Sequence, residues 1–178
     1  MKRYVLSHLP MAVVYALLIV VVRGRSWEWA GWVAGVIMGV LVLFLDRVVY
    51  TYSYPGAQIS QQFAWYWKEK KWRTALTLLD TRRLEQERLT FRSGLFMAVW
   101  VPLSFFALTS TTGLFGKGVV MGLMLHILMD SWRLQRGEPR RLHVRLFWMI
   151  KRVITDEERL VFLLVMTGIF VLFSFWVA

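Results

Sequence analysis

Two histidines and two aspartates stand within or at the ends of long apolar stretches of this 178-residue chain: His8, Asp46, His126 and Asp130. An ionisable side chain at membrane depth is costly, so each is a candidate functional residue by default. His126 and Asp130 are four apart and project from one helix face. Two imidazoles and two carboxylates converging from three helices make a nitrogen–oxygen donor set for a divalent metal. A metal held there lowers the pKa of its bound water and generates a hydroxide nucleophile. The plainer reading treats Asp46 and Asp130 as helix-end carboxylates near the lipid headgroups, and His126 as a neutral imidazole bonded to a carbonyl. His8 alone is a weak signal, and His143 lies in a basic stretch where exposure is expected.

The elements that must carry these residues follow from composition. Hydrophobic residues make up 57% of the chain, and charged residues 19%, below the roughly 25% of soluble domains. The apolar residues gather in long blocks separated by basic ones, which excludes a soluble globule and a disordered chain. With no cysteine, disulfide-stapled modules and thiolate-bound zinc are excluded as well. The expected fold is all-α: one helical membrane domain, residues 1–178, with about five spans at 4–22, 29–45, 94–109, 114–129 and 159–177. Cytoplasmic segments at 46–93 and 130–158 separate them. No A-x-A-like cleavage site follows the first apolar run, so it reads as an uncleaved span rather than a signal peptide.

Local signals support this division. Trp27, Trp29 and Trp32 form an interfacial belt, and Gly31, Gly35 and Gly39 recur every four residues as a small-residue stripe for close helix approach. A second stripe, Gly118 and Gly122, lies in the fourth span. Pro102 is expected to bend the third. The polar 110–113 link makes the third and fourth a tight hairpin, and Thr155 with Glu158 reads as a capping box opening the fifth. Basic residues number two before the first span, nine from Arg47 to Arg92 and eight from Arg133 to Arg159. By parity, nineteen lie on one side against Arg23, Arg25 and Lys117 on the other, which makes that side cytoplasmic. The N-terminus is then inside and the C-terminus outside.

The net charge of +11 would point to nucleic acid in a soluble protein. Placed between apolar blocks, it fits topology and anionic lipid headgroups better, so the bilayer is the expected partner and nucleic acid is disfavoured. The stretch from Phe63 to Trp72 mixes aromatic and basic residues and reads as a helix at headgroup level, although such a mixture also stacks on bases. Thr81 to Leu89 is charge-rich with helical composition. Between Arg141 and Arg152, Leu142, Leu146, Met149 and Ile150 fall on one helical face, a second interfacial helix.

Four pieces resemble the LexA-regulated inner-membrane metal-dependent hydrolases, the YdjM-like family. They are Ser7-His8-Leu9, Leu43-Phe44-Leu45-Asp46-Arg47, Phe91-Arg92-Ser93 and the stretch from Met121 to Asp130. The family has a His in its first span, a Pro-Asp-x-Asp-His motif after the second, a Thr-His-Ser-like motif opening the next, and a later Gly-x-x-x-His-x-x-x-Asp. Gly122, His126 and Asp130 match the last in register. The resemblance implies His8, Asp46, His126 and Asp130 as ligands of zinc or manganese. It further implies Asp46 as ligand or general base, Ser93 orienting water or substrate, and the cytoplasmic membrane of a prokaryote as the location.

The chain departs from the family pattern at three ligand positions, now Phe44, Arg47 and Arg92. An Arg stays protonated and cannot ligate a metal near neutral pH, but it pairs with the carboxylates a metal would have bridged. Arg92 or Arg47 is therefore expected to join Asp46 and Asp130 in a charge cluster, structural or shaped for a lipid phosphate. Three function classes stay open: a metal-dependent hydrolase at the cytoplasmic membrane surface, a non-catalytic scaffold or subunit with a membrane-protein partner, and a lipid-headgroup-binding protein. There is no P-loop, G-x-S-x-G elbow or haem-attachment motif, and no pair of broken helices of the transporter kind.

Overall fold

A computed structural model describes residues 2–23, 29–82, 85–86, 88–111 and 113–177, with residues 2–9 and 23 described as backbone alone. The described residues are all-α. In chain order they form α1 (Lys2–Arg23), α2 (Trp29–Val42), α3 (Leu45–Ser53), α4 (Gln58–Lys68), α5 (Trp72–Thr81), α6 (Gly94–Thr109), α7 (Leu114–Gly137), α8 (Pro139–Phe147) and α9 (Asp156–Val177). Three helices are long and apolar enough to cross a membrane: Trp29–Ser53 (α2 with α3), Leu114–Gly137 and Asp156–Val177. The chain thus has the make-up of a multi-pass membrane protein. Pro10–Val22 within α1, and α6, are shorter apolar helices.

The glycine stripes explain why α7 sits at the centre, with its most extensive contact against α2. Cβ atoms added at Gly35 and Gly39 would lie 2.2 Å from the backbone oxygens of Phe115 and Val119. From the other side, Cβ atoms at Gly118 and Gly122 would lie 2.5 and 2.3 Å from those of Trp32 and Val36. Only hydrogen fits between these backbones, so the two helices meet main chain to main chain. Around them pack Ala12, Ala16, Met97, Trp100, Leu142, Leu163 and Met166, all buried. Polar groups at this depth find partners across helices: Trp100 Nε1 donates to the Val120 carbonyl at 3.1 Å, Trp132 Nε1 to Thr167 Oγ1 at 3.0 Å, and Tyr15 and Ser174 share a 3.0 Å bond.

The outside of this bundle is apolar. Leu17, Leu18 and Val21 of α1, Val99, Leu103 and Phe106 of α6, and Val161, Leu164, Leu172 and Phe175 of α9 all face outward. α9 opens on the expected capping box: Thr155 N–H donates to Glu158 Oε2 at 2.9 Å and Glu158 N–H to Thr155 Oγ1 at 3.2 Å.

Two local expectations need correction. α5 stops at Thr81, and of the described residues that follow, Arg82 is in a turn, Glu85 in a 3-10 turn, and Gln86, Arg88 and Leu89 are irregular rather than α-helical. The Leu79 carbonyl near that end accepts from Gln86 Nε2 at 2.9 Å, so a side chain supplies a donor at the end of the helix. α8 also ends earlier than its apolar pattern suggests, at Phe147, leaving Ile150 exposed. Before them, α4 and α5 form a helical hairpin around its own small core of Ile59, Phe63, Ala75 and Leu79, packed against Val48 and Tyr50.

Candidate functional site

The residues singled out by type and spacing lie at one end of the bundle, where the long α2–α3 helix breaks. At Leu43 and Phe44 the α-helical bonds give way to tighter ones: Phe44 N–H donates to the Leu41 carbonyl at 2.9 Å and Arg47 N–H to Phe44 at 3.3 Å. Tightening of this kind strips the Val40 carbonyl of its usual donor four residues on. His126, buried on α7, approaches that carbonyl with Nδ1 at 3.3 Å. A carbonyl neighbour requires the proton on Nδ1 and puts the lone pair on Nε2.

Immediately after the break, Asp46 is fully buried, and its Oδ1 accepts from the Phe91 amide at 3.1 Å. This ties α3 to the segment that enters α6. The next residue in that segment, Arg92, is 3% exposed and donates from Nη1 to Asp130 Oδ2 at 2.9 Å. Arg145 of α8 donates to the same oxygen at 2.7 Å. Guanidiniums from the α6 entry and from α8 therefore converge on one carboxylate of α7, and Asp46 of α3 is joined to them through the Phe91 amide. At low dielectric such pairing is what makes buried charges tolerable.

The other candidates are placed elsewhere. Arg47, though adjacent to Asp46, turns to the α4–α5 hairpin, where it donates to Asp80 Oδ1 at 3.0 Å and to the Leu79 carbonyl at 3.4 Å. Ser93 is the N-cap of α6: its Oγ accepts from Phe96 N–H at 3.2 Å and donates to the Thr90 carbonyl at 2.8 Å. Phe44 lies in the helix break. The side chain of His8 lies outside the described residues.

At this end one oxygen is already committed to cations. Asp130 Oδ2 already faces two guanidiniums within 3 Å, and a metal would have to approach against both charges. Among the described residues no group of three or more His, Cys, Asp or Glu side chains is placed to hold a metal ion. Arg145 and Asp80 were missing from the sequence-derived set. Arg145 had a faint signature, since it flanks the buried Leu142 by about 60° around the helix axis. Asp80 had none, because its partner lies 33 residues away. Comparison with protein-family models, with curated proteins and with solved structures finds no match to this chain.

Proposed function

We propose that this chain is a five-span inner-membrane protein in which a site resembling that of membrane-bound metal-dependent hydrolases has become an arginine–carboxylate lock. It works without catalysis, as a membrane scaffold or subunit. The observation that carries this reading is the convergence of Arg92 and Arg145 on one oxygen of Asp130, at a position where the family pattern would place metal. Cations fixed in the protein supply the charge compensation a metal ion would otherwise bring, with no exchangeable coordination position for water or substrate. The cluster joins four elements and so fixes their arrangement, which is the task of a scaffold.

The same contacts support five spans. Arg92 precedes α6 and Asp130 lies far along α7, yet they meet at 2.9 Å. If α7 crosses the bilayer, α6 has to cover the same depth to bring Arg92 back to Asp130. With α1 counted by its apolar run, the basic segments then share the cytoplasmic side.

A second reading keeps a metal-dependent hydrolase using zinc or manganese on His8, Asp46, His126 and Asp130. It is favoured by Asp46 Oδ2, which is buried without a hydrogen-bond partner among the described residues. Elemental mass spectrometry on the detergent-purified protein separates the two readings. The lock gives no stoichiometric metal, before or after reconstitution with zinc or manganese. Near-stoichiometric metal that disappears in both His126→Ala and Asp130→Ala overturns it in favour of the hydrolase.

A further inference from the structure

The α4–α5 hairpin buries one face in its own small core and leaves the other uncovered. Trp65 (53% exposed) stands on that open side, while Trp67, about 200° further round α4, and Trp72 (47% exposed) line the edge beside the core. The rings are organised rather than scattered: Trp67 meets Trp72 edge-on with centroids 4.3 Å apart, Phe63 stacks on Trp67 at 5.3 Å, and Lys71 Nζ lies 5.2 Å from the Trp65 ring. Around them stand four exposed cations, Lys68, Lys70, Lys71 and Arg73, against one carboxylate, Glu69. Lys70 holds the turn in a left-handed conformation (φ 57°), where glycine or asparagine would sit with less strain.

We propose that this hairpin face docks on the anionic surface of the bilayer, with the indoles at headgroup depth and the four cations against lipid phosphates. Three features favour lipid over other polyanions. Indole rings beside basic residues match the amphipathic boundary between headgroups and acyl chains. The cations complement an anionic leaflet and not a neutral one. The hairpin packs on Val48 and Tyr50, in the last turns of the Trp29–Ser53 candidate span and beyond its charged Asp46–Arg47 pair, so it is tethered to one end of a membrane helix. The inference rests on the multi-pass reading but is independent of the charge cluster.

The chain has no cysteine, so single cysteines give unique label sites. A nitroxide at Ala64→Cys, exposed one turn before Lys68, reports the hairpin, and one at Leu103→Cys on the outward face of α6 reports the bilayer interior. The full-length protein is reconstituted in phosphatidylcholine vesicles with or without phosphatidylglycerol, and collision with oxygen is compared with collision with a water-soluble nickel chelate. The expected result is a hairpin label shielded from nickel in anionic vesicles and released by high salt. Each neutralised cation should weaken that engagement roughly fivefold. The variant Lys68→Gln/Lys70→Gln/Lys71→Gln/Arg73→Gln alters only exposed side chains and should leave the hairpin label water-accessible. A hairpin label that stays aqueous in every vesicle, beside a shielded Leu103 label, overturns the proposal and leaves the membrane reading standing. Equal shielding in neutral and anionic vesicles, or shielding only on addition of RNA or DNA, overturns it too. A Leu103 label as aqueous as the hairpin label would instead bring down the multi-pass reading beneath it.

Discussion

Asp130 accepts from two guanidiniums through one oxygen, and the two donors differ in burial: Arg92 is 3% exposed and Arg145 14%. That difference sets their expected contributions. Arg92→Met leaves a buried carboxylate short of a cation and should lower stability by about 3–5 kcal/mol, read as a melting shift in detergent. Arg145→Met should cost less, since Arg92 still neutralises Asp130. The pair Arg92→Met/Asp130→Leu should recover part of the loss, because no uncompensated carboxylate remains at that position. An Arg92→Met protein that melts like wild type would show that the pair is not holding the fold. His126 makes a separate test. His126→Phe strands the Val40 carbonyl and should cost about 1–3 kcal/mol, whereas His126→Gln can still donate and should retain part of that. His126 and Asp130 were legible in the sequence because a spacing of four on an apolar helix is a local signal. Arg145 was much less so: its place beside Leu142 was a faint local signal, but its partner is chosen by how α8 folds back on α7.

At the level of elements, the glycine stripes of α2 and α7 were legible for the same local reason, being spaced to face one way, whereas nothing local said that the two stripes face each other. The consequence is sharp. An added methyl at Gly39 would lie 2.2 Å from the Val119 oxygen and 2.6 Å from the Leu123 nitrogen, and backbone cannot step aside as a side chain can. Gly39→Ala should therefore destabilise by about 1–3 kcal/mol, as overpacking does. Gly168→Ala is the matching control: nothing lies within 4 Å of its added Cβ, and alanine favours helix by up to about 1 kcal/mol over glycine. Melts of the two variants should move in opposite directions, and a shift of the same sign and size in both would refute close backbone packing. The capping box at Thr155 and Glu158 was also readable, being a four-residue pattern. The stretch after Thr81 was misread because helical composition says nothing of competing partners. Arg47 from α3 and Gln86 from downstream both donate to the Leu79 carbonyl, and these contacts exist only once the hairpin has packed.

For the molecule as a whole, the length of α6 is the decisive quantity. Its 16 residues rise about 24 Å, short of the roughly 30 Å hydrocarbon core. Taken alone, that length suits a re-entrant segment as well as a span. The buried Arg92–Asp130 pair argues for a crossing, since it fixes the start of α6 beside the later part of α7, and a thinned bilayer can absorb the shortfall at modest cost. Single cysteines test this directly. In a five-span chain, Lys71→Cys and Arg140→Cys react with an impermeant maleimide from the same, cytoplasmic side, and Thr111→Cys reacts from the other. If α7 crosses and α6 does not, Lys71 and Arg140 end on opposite faces. Labelling intact spheroplasts against inverted vesicles distinguishes the two arrangements. Opposite labelling of Lys71→Cys and Arg140→Cys would refute the five-span arrangement, and would do so by separating sides that the Arg92–Asp130 contact requires to be one.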